Sequence, residues 1–355
     1  MMYALVGVVL ALGWIGTTAK TKNENSDYYL AFAGLVLLLF MGLRGDFTTD
    51  YVNYVESFSF YHDLTFKQIL ELRKEPLFVL LNKFIGLFSQ HFQVLHFAMS
   101  ALLCIPAVLA IKRSSKNYLL SVFFLYALTY YAQSFNITRN CIAMSLLVFG
   151  YQYLTEKKII RWTLCVIVAT GFHTSAILLL PLGLVYFFPI TWKRVLALSV
   201  LILVAVIGYE YMLDFVRDVL GFYPYYTDDD SMMRVQQWSE ISKTQLLVRS
   251  SIYITYFGLL LRKKKLVDEG LYVAIISLGA YLLQFRVYLT YRYDLYLFGF
   301  FILLFPNTFE QFGFPKAVKI ALSAAIVCLS IIWVSSSYGG EYYPFWQNVV
   351  VGQPL

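Results

Sequence analysis

The sequence is organised around a polar stretch that begins Arg44-Gly45-Asp46-Phe47-Thr48-Thr49-Asp50-Tyr51 and ends Arg73-Lys74-Glu75-Pro76. A long apolar run precedes this stretch, and most of the chain that follows it is also apolar. Charged side chains at the end of a membrane helix are costly unless they have partners or a task. We therefore predict that this stretch forms one wall of a site at a membrane surface.

The composition is that of a membrane protein. Of the 355 residues, 59% are hydrophobic and 14% are charged, which is typical of a chain that crosses a bilayer several times. The sequence has no P-loop, nucleophile elbow, zinc signature or nucleic-acid-binding motif. Its four cysteines lie inside apolar runs without metal or redox spacing, so they are expected to be packing residues. We expect no nucleic-acid partner and no cofactor.

The apolar runs predict an all-α polytopic bundle of about 12 transmembrane helices. They cover residues 3–18, 28–43, 93–111, 117–134, 138–154, 160–172, 174–189, 195–213, 246–261, 269–286, 290–306 and 316–335. Residues 75–89 are expected to form an amphipathic helix that lies at the surface or dips into the membrane from it.

Short basic clusters set the predicted orientation, because such clusters mark the cytoplasmic ends of membrane helices. The clusters follow alternate apolar runs. If the amino terminus is outside and 12 helices follow, every cluster lies on the cytoplasmic side. We therefore predict one integral membrane domain over residues 1–355, with both termini external and with external loops at 45–92 and 214–245. This topology gathers the polar side chains of the chain at the external face.

Two arginines on that face are candidate ligands of an anion. Arg139 begins an apolar run, where its planar fork and the start of a helix suit phosphate oxygens. The alternative is an arginine that reaches up to lipid headgroups. Arg292 lies between two tyrosines before another apolar run. The alternative for Arg292 is a structural ion pair with Asp294.

Four other residues are candidate bases or ligands. His173 lies between two short apolar runs, where an imidazole can act as a base or as a hydrogen-bond donor. Its alternative is a structural histidine. Asp46, Asp50 and Glu75 are candidate bases, and the two aspartates are also candidate ligands of a divalent ion. Equally, the aspartates can cap a helix or pair with Arg44. We favour a site without metal, because no tight acidic cluster is evident.

A series of short motifs resembles the EpsG family. In chain order these motifs are Leu43-Arg44-Gly45, Thr49-Asp50-Tyr51, Glu75-Pro76-Leu77-Phe78, Arg139 before an apolar run, Phe172-His173-Thr174-Ser175, Arg292-Tyr293 and Tyr343-Pro344-Phe345. The resemblance covers nearly the whole chain. The EpsG family comprises bacterial Wzy-type polysaccharide polymerases, whose products include O-antigen, capsule and exopolysaccharide.

The resemblance implies a glycosyltransferase of the GT-C type in the bacterial plasma membrane, similar in architecture to O-antigen ligases. Such an enzyme transfers a growing glycan from undecaprenyl diphosphate to the next lipid-linked repeat unit at the external face, without a nucleotide sugar. Its partners are expected to be the lipid-linked oligosaccharide and the bilayer, together with the flippase and the chain-length regulator of the same pathway.

This reaction has a diphosphate leaving group, and cations that stabilise its developing charge lower the barrier most. We expect this diphosphate to be bound by Arg44, Arg139 and Arg292. Displacement in one step is expected to invert the anomeric configuration. Tyr225 and Tyr226, in the Tyr-rich external insertion, are expected to stack on sugars.

A base must also take the proton of the attacking sugar hydroxyl, and the candidates are Asp50, Glu75 and His173. We favour a carboxylate base with His173 holding the diphosphate. A carboxylate accepts the proton without creating a new cation beside the arginines.

Other functional classes predict different sequences. A flippase or transporter of lipid-linked oligosaccharides needs polar residues distributed through the bilayer and repeat symmetry, whereas here they gather at one face. A membrane O-acyltransferase needs catalytic residues on the cytoplasmic side, and none is evident there. A non-enzymatic assembly subunit would not explain the series of arginines.

The predicted topology is testable with reporter fusions. Fusions at Asp63 and Asp229 are expected to report an external position, and a fusion at Lys264 a cytoplasmic one, because the basic cluster at 262–265 marks a cytoplasmic end. A cytoplasmic reading at Asp229 would contradict this topology.

Overall fold

The computed structural model describes residues 2–21, 27–45, 49–72, 75–189, 191–208, 243–262, 270–284 and 291–337. These residues are helical with short connections, and no strand occurs among them. The predicted all-α fold is therefore confirmed. The chain divides into two compact units, Met1–Phe187 with Gly299–Leu355, and Phe188–Phe298. That both units belong to one integral membrane domain stays a prediction.

The α-helices of the first unit lie on both sides of the second unit in the sequence. They are α1 (Met2–Thr21), α2 (Asp27–Gly42), α3 (Thr49–Asp63), α4 (Phe66–Glu71), α5 (Pro76–Gly86), α6 (Phe92–Ser114), α7 (Tyr118–Phe123), α8 (Thr138–Thr155), α9 (Ile159–Phe172), α10 (Leu182–Phe187), α15 (Phe301–Gln311) and α16 (Lys316–Ser337). Those described in the second unit are α11 (Trp192–Ile207), α12 (Lys243–Arg262), α13 (Leu271–Leu283) and α14 (Tyr291–Gly299), whose last residue belongs to the first unit.

The centre of the first unit is formed by α2, α6, α8 and α9, which pack side by side. Small residues allow the close approach of α8 and α9. A Cβ atom at Gly150 would lie 3.1 Å from the Trp162 ring, and Trp162 is fully buried. The Ser145 hydroxyl of α8 donates to the Leu103 carbonyl of α6, so a polar contact joins α6 and α8.

One predicted span is not a continuous helix. The apolar run 117–134 forms α7, then a π-helical turn at Phe124–Leu128, and then enters a 3-10 segment at Ala132–Phe135. The hydrogen bonds that a continuous α-helix would make are replaced by contacts such as Thr129 Oγ1 to the Phe124 carbonyl, 2.8 Å.

Tyrosines of this irregular segment tie it to the first two helices. The Tyr131 hydroxyl donates to the Leu37 carbonyl at 2.5 Å, and the Tyr126 hydroxyl donates to the Tyr3 carbonyl. Buried tyrosines need partners of this kind for their hydroxyl groups. The segment thereby brings the start of α8, and with it Arg139, next to the end of α2.

The second unit contains a buried ion pair. Asp294 in the first turn of α14 has no exposed surface and pairs with Arg249 of α12. The Tyr253 hydroxyl lies 3.4 Å from Asp294 Oδ1 and 2.6 Å from Ser277 Oγ. A buried charge needs a partner of opposite charge, so this network fixes α12, α13 and α14 against one another.

Among the residues that the structure describes, two helices are long and apolar enough to cross a membrane, Phe92–Ser114 and Lys316–Ser336. Shorter apolar helices of 10–17 residues lie at Met2–Thr17, Asp27–Gly42, Pro76–Gly86, Tyr118–Leu128, Ile159–Phe172, Thr174–Phe187 and Leu271–Leu283. Large apolar side chains on their outer surfaces are exposed, as at Leu35, Leu164 and Leu329. The bundle of about 12 transmembrane helices stays a prediction.

The predicted external loop 45–92 contains α3, α4 and α5. The helix expected within residues 75–89 is present as α5, with Phe78, Val79 and Asn82 buried and Leu80 and Phe84 exposed. Most of the other predicted loop, residues 214–242, lies outside the described residues.

A glycine substitution tests the packing of α2 against α6. A Cβ atom at Gly34 would lie 2.8 Å from Val108 Cγ2, so Gly34→Val forces this contact apart and is expected to destabilise by about 1–3 kcal/mol. Gly16→Val is the matched control, because a Cβ atom there meets no atom within 4 Å. Thermal unfolding of the purified protein in detergent measures both. Equal unfolding temperatures would contradict this packing.

Candidate functional site

The Glu75 carboxylate is the centre of the candidate site. Its Oε1 lies 2.6 Å from Nδ1 of His173, and its Oε2 forms an ion pair with Nη1 of Arg139. The backbone N–H of Thr174 also donates to this carboxylate. The side chains of Glu75 and His173 are 13% and 17% exposed. The structure thus brings together three residues that the sequence proposed separately.

The local sequence explains the position of Glu75. Pro76 is the first residue of α5, a position where its missing N–H costs no hydrogen bond. Glu75 precedes it in a left-handed conformation, with φ 38° and ψ 63°. That conformation costs a residue other than glycine about 1–3 kcal/mol. The contacts of the carboxylate hold Glu75 in this conformation, which directs the side chain toward α8 and α9.

Arg139 lies in the first turn of α8, where aromatic rings hold its guanidinium group. The carbon at the centre of that group is 4.9 Å from the centre of the Phe78 ring and 5.7 Å from that of Tyr54. The Arg139 backbone N–H donates to the Tyr54 hydroxyl at 3.3 Å. The Arg139 side chain is still 37% exposed, so an anionic ligand can reach it.

The charge of Glu75 is stabilised by its neighbours. Burial by itself would raise the pKa of Glu75, but the hydrogen bond from His173 and the positive charge of Arg139 outweigh that effect. The pKa of Glu75 therefore lies below its ordinary value of 4.5. At neutral pH the Glu75 carboxylate is therefore charged, and it contacts both the Arg139 guanidinium and the His173 ring.

The starts of three helices meet around these side chains. The Asp50 backbone N–H, in the first turn of α3, donates to Asn136 Oδ1 just before α8, at 3.1 Å. Tyr54 of α3 contacts Arg139, and Glu75 precedes α5. Each helix start carries a partial positive charge, which adds to that of Arg139. The arrangement as a whole favours the binding of an anion.

Arg44 lies at the end of α2 and is fully buried. Its Nε donates to Nε2 of His96 at 2.8 Å, and its Nη1 donates to the Phe135 carbonyl. The Thr138 hydroxyl is 3.5 Å from Nη2. These contacts tie the end of α2 to α6 and to the start of α8. Its predicted contact with a diphosphate stays a prediction.

Of the other predicted site residues, Asp50 lies beside the site, Arg292 lies in the second unit, and three lie outside the described part of the chain. Asp50 lies one helical turn before Tyr54 on α3. Arg292 is in the first turn of α14 in the second unit, but its side chain is not described. Asp294, the alternative partner proposed for it, pairs with Arg249. Tyr225, Tyr226 and Asp46 lie outside the described residues. No group of three or more possible metal ligands occurs in the part of the chain that the structure describes.

Sequence reasoning missed Tyr54 and Arg249. Tyr54 follows Asp50 by four residues, which places both on one face of a helix, and this spacing was available in the sequence. Arg249 is a charged residue at the start of the apolar run 246–261, a position that indicates a paired or functional role.

These observations define an all-helical protein with apolar helices and a cluster of cation, carboxylate and imidazole. The chain belongs to the EpsG family, whose family model matches residues 27–347. Members of this family are Wzy-type polysaccharide polymerase-like proteins, so the resemblance found in the motifs is confirmed. Comparison with curated proteins and with solved structures gave no match. The family and the apolar helices together indicate a membrane protein.

The ion pairing of Glu75 predicts a pH-dependent contribution to stability. A carboxylate with a lowered pKa contributes stability above the unfolded value of 4.5 and loses it as the pH falls through the lower folded value. Wild type is expected to unfold at a higher temperature than Glu75→Gln at pH 7, and this difference is expected to shrink below pH 4.5. Glu71→Gln, at an exposed position of α4, is the control. A difference that stays constant from pH 7 to acid would contradict the ion pairing.

Proposed function

We propose that this protein polymerises polysaccharide repeat units on the external face of the bacterial plasma membrane. It transfers the growing glycan from undecaprenyl diphosphate to the next lipid-linked repeat unit. Membership of the EpsG family supports a polysaccharide-polymerase role in general. The observation that supports this particular reaction is the contact of Arg139, Glu75 and His173 at the starts of α5 and α8.

The reaction breaks the bond between the anomeric carbon and the diphosphate oxygen. The electron pair of that bond leaves with the diphosphate, while a sugar hydroxyl of the acceptor forms the new glycosidic bond and loses its proton. One-step displacement inverts the anomeric carbon. The catalytic requirements are a cation at the leaving group and a base at the hydroxyl.

Arg139 meets the first requirement in this proposal. Its planar guanidinium has five N–H donors in a fixed geometry that suits phosphate oxygens. The ion pair between Nη1 and Glu75 fixes the orientation of the group, and the rings of Phe78 and Tyr54 support it. The exposed part of the side chain then faces the ligand with little loss of conformational freedom on binding.

Arg44 stays a proposed ligand of the diphosphate, and it also supports the site. Because it is fully buried and joins α2, α6 and the start of α8, it holds the helix that carries Arg139. Arg292 likewise stays a proposed ligand of the diphosphate, and Tyr225 and Tyr226 stay the proposed contacts of the glycan. About 12 spans in a GT-C arrangement, with both termini external, complete the proposal. Its proposed partners are the flippase and chain-length regulator of the same pathway.

The geometry of Arg139 predicts that lysine cannot replace it. Lysine keeps the charge but loses the planar fork, so Arg139→Lys is expected to lower the polymerisation rate nearly as much as Arg139→Ala, by about 10²–10³. The measurement is the rate of chain growth by purified protein with lipid-linked repeat units. Arg161→Lys is the matched control, because Arg161 is an exposed arginine that stacks near Tyr153 at the start of α9.

Normal polymerisation by Arg139→Lys would mean that Arg139 supplies charge alone. Normal polymerisation by Arg139→Ala would mean that Arg139 takes no part in the reaction.

A further inference from the structure

We propose that His173 is the catalytic base of the polymerisation reaction and that Glu75 is the residue that positions it. This inference rests on the proposed function and reverses the roles favoured from the sequence, where a carboxylate was the base and His173 held the diphosphate.

The hydrogen bond between the two side chains determines where the imidazole can accept a proton. A carboxylate can only accept a hydrogen bond, so His173 Nδ1, 2.6 Å from Glu75 Oε1, must carry the hydrogen. The neutral ring then has its lone pair on Nε2. That atom is buried, and no residue in the described part of the chain hydrogen-bonds to it. A buried acceptor without a partner is unfavourable in free energy. A substrate hydroxyl that donates to Nε2 would recover this free energy.

Glu75 is poorly suited to be the base itself. Its two oxygens already accept from His173 and Arg139, and the Thr174 backbone N–H donates to the same carboxylate. Protonation of Glu75 would weaken all three contacts. The lowered pKa of Glu75 agrees with this reading. The carboxylate is better suited to hold the ring in one tautomer and one orientation.

The surroundings of His173 also stabilise the imidazolium that proton transfer creates. The charged group in contact with His173 is Glu75, which precedes α5. Beyond it lies Arg139 of α8, with Tyr54 and Tyr61 of α3 beside Arg139. The negative charge of Glu75 lies between Arg139 and the His173 imidazolium, so it reduces the repulsion between these two positive charges. His173 also follows the last residue of α9, where the helix end carries a partial negative charge that favours a cation.

The resulting step is balanced in atoms and charge. The acceptor hydroxyl gives its proton to Nε2, and its oxygen bonds to the anomeric carbon. The bond from that carbon to the diphosphate breaks, and the diphosphate leaves with the electron pair beside Arg139. The imidazolium then loses its proton to solvent.

The test is the pH dependence of kcat and KM for purified full-length protein with lipid-linked repeat units. His173→Gln is expected to lower kcat by about 10³-fold, with KM nearly unchanged and without the fall in rate at low pH that marks the base. Glu75→Gln is expected to lower kcat by about 10²-fold and to move that fall to lower pH, because the charge that favours the imidazolium is gone. Asp50→Asn is expected to keep the fall in rate at low pH, because His173 is still present as the base.

Two controls and two further variants keep the test independent of folding. His91→Gln and Glu71→Gln change exposed side chains of the same types and are expected to keep the wild-type rate. If Glu75→Gln does not fold, Glu75→Asp replaces it and is expected to restore part of the rate with the wild-type profile. If His173→Gln does not fold, His173→Ala is assayed with added imidazole, which is expected to restore activity more strongly as the pH rises.

Failure of the proposed function and failure of the assignment of His173 as the base give different results. A wild-type protein that does not extend lipid-linked repeat units would overturn the proposed function and, with it, this inference. A polymerising wild type together with a His173→Gln variant that keeps the wild-type profile would overturn this inference alone. Loss of the low-pH fall in Asp50→Asn or in Glu75→Gln would assign the base to that carboxylate instead.

Discussion

The candidate site depends on one carboxylate that holds two side chains from distant parts of the chain. Glu75 precedes α5, Arg139 lies in the first turn of α8, and His173 follows α9. The ion pair and the hydrogen bond of Glu75 are the contacts that join them. Without this charge, the guanidinium and the imidazole would have no common anionic partner. The strained backbone at Glu75 is the local cost of bringing the carboxylate there.

The remaining buried charges follow the same physical rule. Arg44 and Asp294 have no exposed surface, and each is bonded by side chains or carbonyl groups from other segments. A charge inside an apolar bundle is tolerated only with such partners. The two cases differ from Arg139, which keeps an exposed face beside its ion pair. Arg44 and Asp294 hold helices together, whereas the exposed face of Arg139 is accessible to a ligand.

The sequence predicted much of the fold because hydrophobic patterns are local. The apolar runs indicated helices, and the helix expected within residues 75–89 is present as α5. The run at 117–134 was predicted as one span, but it forms a π-helical turn and a 3-10 segment, because the hydroxyls of Tyr126 and Tyr131 bond carbonyls of α1 and α2. Contacts between segments so far apart leave no periodic trace in the chain. The sequence also offered Glu75, Arg139 and His173 as separate candidates. Their contacts could not be predicted, because these residues lie far apart in the chain.

In the proposed reaction Arg139 binds the diphosphate of the lipid carrier, and a direct binding measurement tests this contact. Native mass spectrometry can compare the affinity of wild type, Arg139→Ala and the exposed control Arg161→Ala for undecaprenyl diphosphate without its glycan. A hydrogen-bonded charged contact is worth about 1.5–3 kcal/mol, so Arg139→Ala is expected to bind about 10–100-fold more weakly, and Arg161→Ala as tightly as wild type. Equal affinity of all three proteins would contradict the claim.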